Sequence, residues 1–302
     1  MPDLATPLIQ WYAENARDLP WRRPDFGAWG VLVSEFMLQQ TPVNRVIPQL
    51  TAWLERWPTP AALAAEPPSQ AVLQWANLGY PRRALRLHAA AVAMVERHGA
   101  EVPATPTELL ALPGVGTYTA AAVSVFAFGR RVSVVDTNVR RVLARVVGGA
   151  AQAARSLTRA ETDLATALLP DHAGVARTWS AAVMEVGALV CSARAPRCPD
   201  CPVQDLCAWQ RAGRPAYEGP VRHGQPWHGT DRQCRGAILA VLRATREPVA
   251  ACTVAAAWST DDAQRNRCLN SLLADGLVEP LSHGRFRLPG RATTEPPDLR
   301  AT

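Results

Sequence analysis

The sequence of 302 residues contains no lysine, so all 32 of its Lys-plus-Arg positions are arginine. Catalysis through a lysine Schiff base is therefore excluded, and the only aliphatic amine left is the α-amino group at Met1, or at Pro2 if Met1 is removed. Long apolar runs are missing too. Ala120–Phe128 is nine residues long, about half of the ~20 a membrane span needs, so no membrane partner is expected. The opening Met1-Pro2-Asp3 has neither the basic stretch nor the apolar core of an export signal, and a cytoplasmic, nucleoid-associated location is expected. Seven cysteines, an odd count without such a signal, argue against a secreted disulfide framework. Strand signal is scarce, with Val132–Val135 the best short run.

What is present is a globular composition. Hydrophobic residues make up 48% and charged residues 19%, which excludes a disordered or fibrous chain. The net charge, 32 − 26 = +6, leans modestly towards a polyanionic partner. The length suits two domains of about 150 residues.

Apolar residues at three- and four-residue spacing predict helices over 4–15, 29–40, 43–57, 71–76, 82–98, 107–112, 117–128 and 139–147, punctuated by Pro and Gly. The first two thirds read as an all-α body. A linker rich in Gly, Pro and His covers 214–230. Asp231 is placed to cap a helix through Arg243; helices near 254–258 and over 261–274 follow, then a hairpin about Ser282-His283-Gly284. Three helices and a hairpin predict a small winged-helix-like α+β unit over 231–290, with a disordered tail over 291–302.

Three features carry chemistry. Leu112-Pro113-Gly114-Val115-Gly116 lies between two amphipathic segments; its glycines permit a tight turn that bares amides to a phosphate at the next helix N-terminus. Arg130, Arg131, Arg140, Arg141 and Arg145 follow and read as DNA-backbone contacts. Glu35 sits in Trp29–Leu38, a segment too apolar to solvate a carboxylate, so burial should raise its pKa. Asp136 opens a helix and reads first as an N-cap. Two carboxylates in unequal environments also suit glycosidic cleavage, one as the acid and one facing a sugar cation. Cys191, Cys198, Cys201 and Cys207 form C-x6-C-x2-C-x5-C. Four thiolates hold either tetrahedral zinc or a [4Fe–4S] cube, and the presence of only one close pair favours the cube.

Ser34-Glu35-Phe-Met-Leu-Gln-Gln-Thr41, Leu78-Gly79-Tyr80, the hairpin, Val135-Asp136-Thr-Asn138 and the cysteine loop together resemble the helix-hairpin-helix DNA glycosylases. Within these the chain is similar to the MutY-type, A/G-specific adenine glycosylases in their short actinobacterial form, over about residues 8–210. The resemblance implies a helix-hairpin-helix glycosylase fold over 1–213, with a six-helix barrel over about 22–130. The remainder, 1–21 and 131–213, would carry one [4Fe–4S] cluster on Cys191, Cys198, Cys201 and Cys207.

The resemblance also implies roles. Glu35 matches the acid/base that protonates adenine and then activates water, and Asp136 the carboxylate that stabilises the sugar cation, with Tyr118 and Asn138 supporting it. Gln40, Thr41, Leu78 and Tyr80 match the wedge entering the duplex beside 8-oxoguanine. Arg17, Leu19, Trp21 and Arg22 match the wall of a flipped-adenine pocket, and Gly114 and Gly116 the phosphate grip. The implied partner is double-stranded DNA carrying A:8-oxoguanine or A:G, met by a monomer. Tyr118 stands where bifunctional relatives carry their lysine, so hydrolysis without strand cleavage is expected. Departures are Pro81, Thr137 and Ala181, and nothing after Gly213 resembles the pyrophosphate-hydrolase-like domain of longer relatives. The competing readings are a thymine-mismatch or oxidised-pyrimidine glycosylase on the same fold, and a non-catalytic iron–sulfur DNA-binding protein.

Overall fold

A computed structural model describes residues 3–219 and 227–291. Residues 292–302 of the expected tail and residues 220–226 of the expected linker lie outside the described residues.

The described chain is helical until its C-terminal third. In order it forms α1 (Ala5–Asn15), α2 (Gly27–Leu38), α3 (Val43–Arg56), α4 (Pro60–Ala64), α5 (Pro68–Gln74), α6 (Arg82–Arg97), α7 (Pro106–Leu110), α8 (Thr117–Phe126) and α9 (Thr137–Val146). Then come α10 (Arg159–Ala167), α11 (Ala173–Leu189), α12 (Ala208–Arg211) and α13 (Asp231–Ala244). The chain ends with β1 (Val249–Ala250), α14 (Ala251–Ala257), α15 (Asp262–Ala274), β2 (Glu279–Leu281) and β3 (Arg285–Arg287). Pro60, Pro68 and Pro106 each occupy a first helical position, where a missing N–H costs nothing. The hydroxyls of Thr59, Thr105 and Thr158 accept the amides three residues on, closing helix starts that otherwise leave amides bare.

Packing divides the described chain into two compact units. The first takes the described residues within 1–35, 102–111 and 115–221; the second takes those within 36–101, 112–114 and 222–302. In the first, α11 packs against α1 and α9, burying Leu8, Val142, Val146, Trp179, Val183 and Val186. Gly187 lets α9 come close, since a Cβ there would lie 2.7 Å from that of Asn138. In the second, α4 and α5 pack on α6. Trp53 meets Trp57 and Trp75 edge-on at centroid distances of 4.6 and 5.7 Å, a geometry that aromatic quadrupoles favour.

The C-terminal part of the second unit packs α13 on α14 and α15. Its antiparallel sheet runs β1-β3-β2, with Phe286 opposite both Val249 and Pro280. Helix, strand, two helices and a hairpin in this order make the winged-helix-like unit expected from the sequence. β1, two residues long, is too short to leave a period-two signal.

Two local expectations need correction. Val132–Val135 has no strand partner among the described residues and runs on into the cap of α9, with Val134 buried in a small core formed by Ala121, Ala122 and Val125. The cap of α13 is Thr230, whose hydroxyl accepts the Gln233 amide at 3.3 Å, and Asp231 sits in the first turn. Asp231 instead accepts from Arg267 at 2.8 Å and Gln264 at 3.0 Å.

Candidate active site

α2 carries Glu35 into an apolar interior where 6% of its surface stays exposed. Burial pushes its carboxyl up to about 7; a hydrogen bond from the Tyr118 hydroxyl opposes the rise and the nearby Asp136 carboxylate reinforces it. Tyr118 lies in the first turn of α8. Its own phenol is held well above the ordinary range by burial and by the two acids, so it stays a neutral donor. Asp136 is the N-cap of α9, accepting the Val139 amide at 2.7 Å on Oδ1 and the Asn138 side-chain amide at 2.8 Å on Oδ2. Burial moves its pKa up, while these bonds and Arg141 hold it down. The cap reading holds, with one carboxylate accepting from both Val139 and Asn138, and the charge of Asp136 is felt at Glu35.

Asn138 is itself fixed. Its Oδ1 accepts from Arg141 at 2.8 Å, and Arg141 also donates to the carbonyls of Gly187 at 2.6 Å and Cys191 at 2.7 Å. Arg145 continues the line, donating to the carbonyls of Ser192 at 2.8 Å and Ala193 at 3.1 Å and lying 3.3 Å from the Cys191 sulfur. The acid at the α9 cap and the cysteine loop are therefore joined by two arginines on one helix.

The four expected thiols are brought together. Cys191, Cys198, Cys201 and Cys207 line one cavity with Val142, Arg145 and Val190. Three are buried and Cys201 is half-buried. Among the described residues, no three His, Cys, Asp or Glu side chains crowd closely enough to ligate one ion. Thiolates are soft donors of the kind that bind zinc or iron–sulfur clusters.

The arginine run reads differently in three dimensions. Arg131 donates to the carbonyls of Leu169 and Pro170 at 2.9 and 2.8 Å. Arg140 grips Glu161 at 2.9 Å and the carbonyls of Ala154 and Ser156. With Arg141 and Arg145 also committed to carbonyls, four of the five expected DNA-backbone residues hold irregular loops together, since loop carbonyls without helical partners need donors. Arg130 is exposed and has no side-chain partner among the described residues.

Arg17 and Arg22 converge on Glu185, a residue not singled out from the sequence. The Glu185 carboxylate accepts from Arg17 Nε at 2.8 Å and Nη2 at 2.7 Å, from the Arg17 amide at 2.9 Å, and from Arg22 at 3.0 and 2.7 Å. Burial would raise its pKa, but these bonds outweigh burial and hold it at about 2. The forks fix the turn that presents half-buried Trp21 and buried Leu19. The one signal that could have found it is an acid inside the apolar helix α11, the same signal that singles out Glu35.

The expected wedge residues divide. Gln40 and Tyr80 are exposed in left-handed conformations (φ 58° and 47°), whereas Thr41 and Leu78 are buried. Arg83, also missed in the sequence, ties their two turns together. Its guanidinium donates to the carbonyls of Phe36 at 2.8 Å, Met37 at 3.0 Å, Gln39 at 2.5 Å and Gly79 at 3.0 Å, and to the Thr41 hydroxyl at 2.9 Å. The Thr41 hydroxyl in turn donates to the Leu78 carbonyl at 3.1 Å. Gly114 adopts φ 79°, and a Cβ there would meet Arg86 at 2.6 Å. Gly116 is the N-cap of α8 and faces open space, as an anion grip requires.

The helical fold places the chain in a class: residues 33–166 match the HhH-GPD superfamily of base excision DNA repair proteins. Over 286 residues the chain is 53% identical to the adenine DNA glycosylase of Mycobacterium tuberculosis, a match covering 94% of this chain and 93% of that one. It is 42% identical over 210 residues to the human adenine DNA glycosylase, covering 66% of this chain and 38% of that one. A solved structure of a thermostable thymine-DNA glycosylase is similar with a TM-score of 0.62 and 27% identity, covering 69% of this chain and 95% of that one. The chain belongs to the adenine DNA glycosylase family, base-excision enzymes that hydrolyse N-glycosyl bonds. No helix among the described residues is long and apolar enough to cross a membrane.

Proposed function

We propose that the enzyme removes adenine mispaired with 8-oxoguanine or guanine in duplex DNA, leaving the sugar–phosphate strand uncut. The observation that carries this reading is the buried Glu35, raised to about 7, within the electrostatic reach of a second acid fixed at the start of α9. The adenine is turned out of the stack, because its glycosidic bond cannot be reached inside the duplex. Arg17, Leu19, Trp21 and Arg22 form a wall of its pocket, while Gln40 and Tyr80, supported by Thr41 and Leu78, fill the gap beside the partner base. Gly114 and Gly116 hold a phosphate.

Glu35 gives its proton to the departing adenine as the C1′–N9 bond breaks. The electron pair leaves with the base, and the cationic sugar faces the Asp136 carboxylate, whose charge the bonds from Val139 and Asn138 favour against burial. Water then adds to C1′ and returns its proton to Glu35, giving free adenine and an abasic site. Tyr118 keeps Glu35 aligned.

In duplexes carrying A:8-oxoguanine, A:G, T:G or thymine glycol, the first two are expected to lose adenine and the others to stay intact. Release of thymine from T:G, or of thymine glycol, would move the chain to the pyrimidine-directed alternative. No release from any duplex would favour the non-catalytic alternative.

Cys191, Cys198, Cys201 and Cys207 are assigned to one [4Fe–4S] cluster, which when bound supplies a rigid cross-link for the loop after α11. Arg145 and Arg141 transmit that rigidity to Asn138 and so to Asp136. Protein purified without oxygen should be yellow-brown with about four irons per chain; colourless protein with stoichiometric zinc would contradict the assignment. We read residues 1–213 as the glycosylase region and 231–290 as its winged-helix-like appendage, acting as a monomer in the cytoplasm on the nucleoid.

A further inference from the structure

The reaction above gives the C-terminal segment no part, yet one of its side chains stands on the exposed Tyr80. Arg232, in the first turn of α13, holds its guanidinium 4.5 Å from the Tyr80 ring centre and 3.3 Å from the Tyr80 hydroxyl. The same guanidinium lies 5.5 Å from the ring of Trp227. Arg83 lies 5.5 Å from the Tyr80 ring and 5.1 Å from that of Trp75. The result is a ladder of alternating rings and cations, Trp227, Arg232, Tyr80, Arg83 and Trp75, running from the C-terminal segment to the buried tryptophans, all within the second unit.

The ladder does not rest on one contact. Asp275, after α15, pairs with Arg235 of α13 at 2.5 Å and with Arg82, two residues past Tyr80, at 3.3 Å. The Ser69 amide donates to the carbonyl of Pro289 at 2.9 Å. The Asp275 pairs tie α13 and the end of α15 to the segment that carries Tyr80, and the Ser69 bond ties the end of the hairpin to α5. Tyr80 needs such support, because a tyrosine at φ 47° occupies a backbone region that a bulky residue keeps only when its surroundings impose it. Tyr80 is still 40% exposed and so keeps surface for contact with a bound duplex.

We propose that Arg232 is a positioning residue for Tyr80, making the C-terminal domain an integral part of the surface that reads the base opposite adenine. The proposal rests on the wedge reading of Tyr80. The Arg232 guanidinium fixes the ring in the orientation that enters the duplex, and it puts a donor-only group beside the place the partner base would occupy. A cation over an aromatic ring is typically worth about two- to fivefold in an equilibrium when exposed and up to about thirtyfold when shielded from water, as against a bound duplex.

The test uses the full chain and duplexes in which a stable tetrahydrofuran abasic analogue faces 8-oxoguanine, alongside undamaged duplex. Arg232→Met should weaken binding to the first about five- to tenfold. It should leave undamaged duplex within about twofold, and saturated single-turnover adenine release within about threefold. Arg232→Lys, which keeps a cation, should recover at least about half of the loss on a logarithmic scale. Tyr80→Ala should weaken the same complex, and adding Arg232→Met to it should change affinity by less than about twofold, because the two side chains act as one unit. If Arg232→Met binds like the wild type while Tyr80→Ala binds weakly, the proposal is overturned and the wedge reading stands. The proposal is likewise overturned if the two losses multiply, or if Arg232→Met weakens both duplexes equally, as a merely structural role would. Should Tyr80→Ala bind like the wild type, the wedge reading falls and takes the proposal with it. Arg232→Gln serves the same comparisons if the Met variant does not fold.

Discussion

Glu35→Gln is expected to lower single-turnover adenine release by at least about 100-fold while duplex affinity stays within a few-fold. Gln preserves the volume and a hydrogen-bonding head but has no proton to give to the leaving base. The pH profile separates this role from packing. In the proposed reaction Glu35 acts in its protonated form, so wild-type release should fall about tenfold per pH unit once the pH rises through its pKa, near 7 in the free protein and displaced upward by the negative field of bound DNA. On the acid side the proposed reaction predicts that the rate falls as Asp136 takes up a proton. In Glu35→Gln the alkaline limb should vanish with the activity. A variant keeping more than about a tenth of the wild-type rate would reduce Glu35 to a buried core residue.

The largest structural effect is expected at Arg83, which is 5% exposed. Burial lowers its pKa to about 10, so the guanidinium remains charged at neutral pH and is solvated by the oxygens it serves and by the rings of Trp75 and Tyr80. Arg83→Met fills the volume but strands the carbonyls of Phe36, Met37, Gln39 and Gly79. Leaving several buried acceptors unpaired costs on the order of 3–5 kcal/mol, or roughly 10 °C in melting temperature for a domain of this size. Arg83→Lys should restore less than about half of that, because one ammonium has three donors and no planar fork. Circular dichroism melts read both. A Met variant melting within about 2 °C of the wild type would show that the two turns hold without Arg83.

Much of the helical body is legible in the sequence because Pro, Thr and Gly mark the helix boundaries. Glu35 stands out because its neighbours are apolar, and the cysteine loop because four thiols share seventeen residues. What escapes the sequence is the direction of charge. Glu185 is 168 residues from Arg17, and no local pattern tells either which partner it will meet. The arginines at 131, 140, 141 and 145 look like a stripe for DNA until the carbonyls of distant loops claim them. Arg83 looks like one more cation in Pro-Arg-Arg, yet it is buried where two turns meet. α11 does not stand out because its apolar residues lie all round rather than on one stripe. β1 exists only because β3 pairs with it.

The central claim is that water, guided by Glu35 and Asp136, replaces adenine at C1′ in a chain with no lysine. Borohydride added during turnover of an A:8-oxoguanine duplex tests it most directly, because borohydride fixes any imine between protein and sugar. The expected result is free adenine, an abasic strand that breaks only in hot alkali, and no covalent protein–DNA adduct. An adduct accumulating at the rate of adenine release would contradict the claim.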